Sequence, residues 1–327
     1  MSASAGTALL SVRNLVTRFR TERGEVTAVD SVSFDVDAGE TLAIVGESGS
    51  GKSVTALSIL RLIPNPPGRI EAGEILFDGQ DLLKLSDAEV RAMRGNRIAM
   101  IFQEPMSSLN PAITIGRQVA EPINLHQKKP WSKALEMARD LLGAVRMSDT
   151  ASRINAYPHH FSGGMRQRAM IAMALACKPQ LIIADEPTTA LDVTVQAQIL
   201  DLLKDLAQGS RSALILITHD LGVVARYADR VVVMYAGRVV ESAPAAELYS
   251  KPRHPYTRGL MASVPRIDGD TSRQLLPIEG QPPNLAALPP GCAFAPRCRQ
   301  ASDACRDARP PLRDIGLRHQ VACILEA

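Results

Sequence analysis

Three observations in the sequence predict an α/β fold built on a parallel sheet. Short apolar runs suited to buried strands alternate with helical stretches. A glycine-rich turn at residues 46–53 joins one such run to a helix. A second run ends on two carboxylates, Asp185 and Glu186.

In chain order, Leu9–Val16 and Val26–Val36 alternate apolar and polar residues, as half-buried strands do. Thr41–Val45 is apolar throughout, which suits a strand covered on both faces. A helix is predicted from Lys52 to Leu62, then a strand at Gly73–Asp78 with a turn at Asp78–Gly79. Residues 113–175 read as mostly helical. Leu181–Ala184, Leu214–Thr218 and Arg230–Tyr235 are further buried-strand runs. Beyond Pro244 turn residues multiply and the periodicity fades.

Composition narrows the class. Of the 327 residues 46% are apolar and 22% charged, as in ordinary globular proteins. A net charge of +3 gives no concentrated basic stripe for nucleic acid. No run approaches the ~18–20 apolar residues that span a bilayer. The start, MSASAGTALL, lacks the basic and apolar segments of a signal peptide. A cytoplasmic chain is expected, meeting a membrane only through a partner. Twelve of the 22 prolines and four of the five cysteines fall in the last 84 residues. The expected domains are therefore 1–243 and an appendage, 244–327. Only one phosphate-loop pattern occurs, which implies one module.

Residues 46–53 read Gly46-Glu47-Ser48-Gly49-Ser50-Gly51-Lys52-Ser53 and fit GxxxxGK[ST]. Glycines let backbone N–H groups turn in around phosphate oxygens, and the helix N-terminus adds a positive dipole end. Lys52 is expected to reach the β and γ phosphates of ATP, and Ser53 to ligate Mg²⁺. Asp185 and Glu186 end a buried strand, where ligands of open α/β sheets bind. Asp185 is expected to hold Mg²⁺ and Glu186 to act as general base toward water. An acidic turn is the plainer reading of that pair taken alone.

Between these halves stands Phe161-Ser162-Gly163-Gly164-Met165-Arg166-Gln167-Arg168, 17 residues before Asp185. With the two phosphate-binding motifs it resembles the ATP-binding-cassette (ABC) family over at least residues 9–243. The family's other elements follow in order. Gln103 matches the Q-loop, Ala190-Leu191-Asp192 the D-loop, and His219 the switch histidine, and Phe19 stands where an aromatic stacks on adenine. The resemblance implies a P-loop NTPase fold. Its parts would be a RecA-like core, an antiparallel β subdomain, a helical signature subdomain at about 104–175, and a small Pro/Cys-rich C-terminal domain. It implies head-to-tail pairs in which one phosphate loop and the partner's Ser162-Gly163-Gly164 signature sandwich ATP. Gln103 would reach Mg²⁺ and the γ phosphate, and His219 would position the attacking water. Met165 stands where glutamine is commoner.

Residues 161–175, Gln103–Pro111 (QEPMSSLNP) and His254-Pro255-Tyr256-Thr257 resemble more narrowly the D-type ATPase subunit of dipeptide and oligopeptide permeases. That implies four partner subunits: a distinct F-type ATPase, two transmembrane permease subunits and an extracytoplasmic peptide-binding protein. The site would be peripheral, on the cytoplasmic face of the inner membrane. Nickel or glutathione importers use similar ATPases. A non-transport ABC ATPase is the reading from another class, and its tandem cassettes or coiled-coil insertions do not occur here.

Cys292, Cys298, Cys305 and Cys323 are separated by five, six and 17 residues. Disulfides need an oxidising compartment. Structural zinc favours tight Cys-x₂₋₄-Cys knuckles, and common ferredoxin spacings differ as well. Spacing leaves the choice open. The resemblance to D-type subunits implies a [4Fe–4S] cluster, with Zn²⁺ as the alternative. His319 is expected at the surface, and Cys177 as a small buried hydrophobe.

Overall fold

We describe a computed structural model of the chain, covering residues 8–22, 24–189, 191–263 and 277–326. In chain order its elements begin with β1 (Leu10–Thr21), β2 (Gly24–Val36), β3 (Thr41–Val45), α1 (Lys52–Ile59), β4 (Gly68–Phe77) and β5 (Gln80–Asp81). There follow α2 (Asp87–Met93), β6 (Ile98–Ile101), α3 (Pro105–Ser108), α4 (Ile115–Gln127), α5 (Trp131–Ala144), α6 (Thr150–Arg153) and α7 (Gly163–Leu175). Next are β7 (Leu181–Asp185), α8 (Val193–Ser210), β8 (Ala213–Thr218), α9 (Leu221–Tyr227), β9 (Arg230–Tyr235) and β10 (Arg238–Pro244). The tail adds α10 (Ala245–Ser250), α11 (Pro255–Ala262), α12 (Ala304–Asp307), β11 (Arg313–Asp314) and β12 (Gln320–Val321).

These elements form two compact units, one of residues 1–37, 41–83 and 217–327, the other of residues 38–40 and 84–216. In the first, the alternating runs make an antiparallel sheet in the order β2-β1-β4-β5. Leu10, Val12 and Leu15 are buried, and the change of spacing after Val12 coincides with a bulge in the β1–β2 register. A second strand set runs β11-β12-β10-β9-β3. Here β3 and β9 pair in parallel from Leu42 opposite Arg230 to Val45 opposite Val233. Every residue of β3 and β9 is buried, as continuous apolar strands covered on both faces require. The expected parallel sheet thus carries antiparallel edge strands, β10, β12 and β11. Helix α1 stops at Ile59, short of the predicted Leu62, because Arg61 takes the left-handed conformation (φ 51°).

Among the described residues, the tail packs into the core of the first unit. Tyr256 and Phe294 enter the same core as Val231, Val233, Tyr235 and Leu248, with Tyr235 and Tyr256 ring centroids 4.6 Å apart. A polar knot adds a second anchor. The Glu241 carboxylate is fully buried and accepts N–H bonds from Arg253 (2.7 Å) and His254 (2.9 Å). It also pairs with His319 Nε2 at 2.7 Å. His319 is therefore not the surface residue expected: it is 2% exposed, held by a carboxylate 78 positions away.

In the second unit the strands run β8-β7-β6, with β6 and β7 parallel from Ile98 opposite Leu181 to Ile101 opposite Ala184. Helices α4, α5 and α7 bury Ile115, Val119 and Ile123, Ala134, Ala138 and Leu142, and Ala169, Met170 and Ile171. In α4 and α5 the three-to-four-residue spacing lays these side chains along one face. These helices supply the helical region expected at 104–175.

His254 gives the tail an acid-sensitive anchor. Its Nδ1 accepts the Tyr256 N–H (3.1 Å) at the start of α11, which a protonated ring nitrogen could not do. Burial first, then the charge of Arg258, lower its pKa to about 4. The folded value lies below the ordinary 6.5, so its stabilisation is present above pH 6.5 and is lost as pH falls toward about 4. The difference corresponds to about 3 kcal/mol. Urea unfolding at pH 7 and pH 4 should show wild type losing more stability than His254→Asn, which keeps a capping side chain without the titration. Equal losses would contradict this assignment.

Candidate nucleotide-binding site

In the first unit the phosphate loop leaves the end of β3 and enters α1 at Lys52. Gly46 has φ 155°, and a Cβ there would lie 2.2 Å from the Met234 carbonyl oxygen. Only glycine fits. Lys52 is buried, and its Nζ donates to the carbonyls of Gly46 (2.8 Å) and Glu47 (3.0 Å). The ammonium thus sits inside the loop, and the Ser50 N–H also donates to the Glu47 carbonyl (3.2 Å). Ser53 follows in the first turn of α1.

Phe19 lies near the end of β1, half-buried, in register with Val26 and Gly68. A Cβ on Gly68 would lie 2.7 Å from Cε1 and 3.0 Å from Cδ1 of Phe19, so that side of the ring runs close to the Gly68 backbone. His219 follows β8 and is exposed, next to Asp220, which caps α9 by accepting the Gly222 N–H at 2.8 Å.

In the second unit, the parallel register brings two predicted residues together. Ile101 pairs with Ala184, so Gln103 and Glu186 stand at matching positions two residues further on. The Glu186 carboxylate accepts from Gln103 Nε2 (3.1 Å) and from Thr189 Oγ1 (2.9 Å). Glu186 has φ 44°, an uncommon conformation for a side-chain-bearing residue and one that concentrates at functional sites. Asp185, the last residue of β7, is buried beside it. Thr189 was not singled out in the sequence, although a hydroxyl three residues beyond a carboxylate in a turn is a recognisable local pattern.

The signature serine caps α7, with Ser162 Oγ accepting the Met165 N–H at 3.3 Å. Gly164 permits close packing, since a Cβ would fall 2.9 Å from Val195 Cγ1 of α8. Gly163 meets Leu191, and Asp192 caps α8 through the Val195 N–H (2.9 Å). Ala190 of the D-loop lies outside the described residues.

Cys292, Cys298, Cys305 and Cys323 are free thiols lining one small cavity, about 20 Å³, with Phe294 and Pro310. The Cys292 N–H donates to the Cys305 carbonyl (2.7 Å). Burial pushes the thiols of Cys292, Cys298 and Cys323 up. Among the described residues no three His, Cys, Asp or Glu side chains stand close enough to hold one metal ion. Cys177 is half-buried, its thiol donating to the Pro122 carbonyl at 3.4 Å. Among the described residues no helix is long and apolar enough to cross a membrane.

Known proteins match this arrangement. Residues 29–189 match the ABC transporter family, and residues 240–305 match the family described as oligopeptide/dipeptide transporter, C-terminal region. The oligopeptide transport ATP-binding protein OppD of Bacillus subtilis is 52% identical over 96% of this chain and 88% of its own length. The dipeptide transport ATP-binding protein DppD of the same organism is 50% identical over 97% of this chain and 95% of its own. The dimeric ATP-binding cassette MJ0796, solved in a post-hydrolysis state with ADP and Pi, aligns with a TM-score of 0.65 at 27% identity. It covers 72% of this chain and 98% of that one. With relatives this similar along nearly its whole length, the chain belongs to the ATP-binding proteins of ABC transporters.

Proposed function

We propose that the chain hydrolyses ATP to power import of di- or oligopeptides through a membrane transporter. The observation that carries hydrolysis is Glu186, held at the end of β7 by Gln103 and Thr189. The peptide assignment is supported by the C-terminal family match and by the relatives that transport peptides.

In this reading the amides of residues 46–53 and Lys52 hold the β and γ phosphates, and Phe19 lies against adenine. Ser53, Asp185 and Gln103 hold Mg²⁺, which neutralises charge on the phosphates when bound. Lys52 exchanges its two loop carbonyls for phosphate oxygens. Glu186 takes the proton of the attacking water, and His219 orients that water and the γ phosphate. Ser162, Gly163, Gly164 and Asp192 act on the nucleotide held by a second ATPase, of F type. Two permease subunits, fed by an extracytoplasmic binding protein, complete the assembly, so the chain works peripherally at the membrane's cytoplasmic face.

The iron–sulfur reading rests on donor type and on the resemblance: four thiols, none in a disulfide, line one cavity, although among the described residues they do not converge on a metal position. Cys292, Cys298, Cys305 and Cys323 would hold it as thiolates, and metal binding would tie together loops with little apolar core.

Two outcomes are expected. Glu186→Gln in the assembled transporter should cut ATP turnover roughly 10²–10⁴-fold while MgATP binding persists, the range for loss of a general base. Turnover close to wild type would refute that role. Anaerobically purified protein should contain about four iron and four acid-labile sulfide per chain. Colourless protein with stoichiometric zinc would replace the cluster with a zinc site.

A further inference from the structure

Glu47 occupies a position that the phosphate-loop pattern leaves unspecified, yet the tail holds it from two sides. Arg297 Nη1 and Nη2 donate to the two carboxylate oxygens of Glu47 at 2.7 and 3.0 Å. This is the parallel fork that makes arginine–carboxylate pairs geometrically specific. The Arg297 side chain is 5% exposed and that of Glu47 25%, so solvent screens the pair little. Arg297 is itself fixed. Its Nε donates to the Glu279 carbonyl (3.0 Å), Nη2 to that of Ile278 (3.3 Å) and Nη1 to Tyr235 Oη (3.4 Å). Its guanidinium also stands 5.9 Å from the Tyr235 ring centroid and 6.0 Å from that of Phe294. The second grip is on the backbone, where the Glu47 N–H donates to Tyr256 Oη at 2.8 Å. Both anchors hang on the apolar core that Tyr256 and Phe294 enter.

We propose that Arg297, with Tyr256 behind it, is a positioning residue for nucleotide binding, holding the leading limb of the phosphate loop in its phosphate-accepting shape. The Glu47 carbonyl is also where Lys52 rests. When Lys52 leaves for phosphate oxygens the loop loses that internal contact, and the tail's grip keeps the backbone in place. Ordering the loop in advance lowers the cost of binding, and the effect falls on affinity for ATP rather than on the chemical step. The tail thereby serves the ATP site directly.

This inference rests on the reading of residues 46–53 as the ATP site, and the test separates the two. MgATP affinity, KM and kcat are measured for wild type, Arg297→Met, Glu47→Gln and the double variant in the full-length chain and the assembled transporter. Each single variant should raise Kd and KM for MgATP about tenfold, with kcat at saturation within about twofold of wild type. The double variant should be no worse than either single one, because it leaves no unpaired buried charge. Arg297→Lys, which keeps the charge without the fork, should recover part of the affinity. Unchanged Kd and KM in folded Glu47→Gln, or a drop in kcat alone, overturns the proposal. So do strictly additive effects in the double variant. Wild-type protein that binds no MgATP refutes the loop assignment instead.

Discussion

The phosphate loop is built around a space that only a hydrogen atom can fill. The carbonyl of Met234, next to the end of β9, comes so close to Gly46 that a Cβ would overlap it at 2.2 Å. The loop therefore cannot drift off the sheet, and its turn is set by the parallel pairing of β3 with β9. Lys52 Nζ donates within the loop to the carbonyls of Gly46 and Glu47. Phosphate oxygens offer such a cation full negative charge, which neutral carbonyls do not.

The tail depends on that same strand. Tyr256 and Phe294 pack where β9 and β10 leave an apolar face. The buried carboxylate of Glu241 gathers His254, Arg253 and His319 from both ends of the tail. An unpaired carboxylate buried so deeply would be costly, so the three partners specify one way of folding the segment back. The cysteines are then brought to a common cavity by loops whose anchors lie elsewhere.

Much of this was legible in the sequence for local reasons. Thr41–Val45 and Arg230–Tyr235 coincide with β3 and β9 because a strand buried on both faces needs an unbroken apolar run. The phosphate loop was readable because its chemistry demands fixed residues at fixed spacing. Gln103 and Glu186 were each identified, but their contact needed the β6–β7 register. The positive φ of Glu186 has no signature in composition. Arg297 and Glu47 are 250 positions apart, and neither sits in a pattern that points to the other. His319 departs from the expected surface position for the same reason, since its environment is made by Glu241 of β10, 78 positions earlier.

Equilibrium binding of MgATP to the full-length chain, comparing Gly46→Ala with Gly49→Ala, tests the central claim most directly. Both glycines have positive φ, but a Cβ at Gly49 meets nothing within 4 Å. Gly49→Ala should carry only conformational strain, on the order of 1 kcal/mol, while Gly46→Ala must displace backbone and should weaken MgATP binding by well over about tenfold. Equal affinities in the two variants would mean that the close approach to Met234 does not hold the loop in its binding shape.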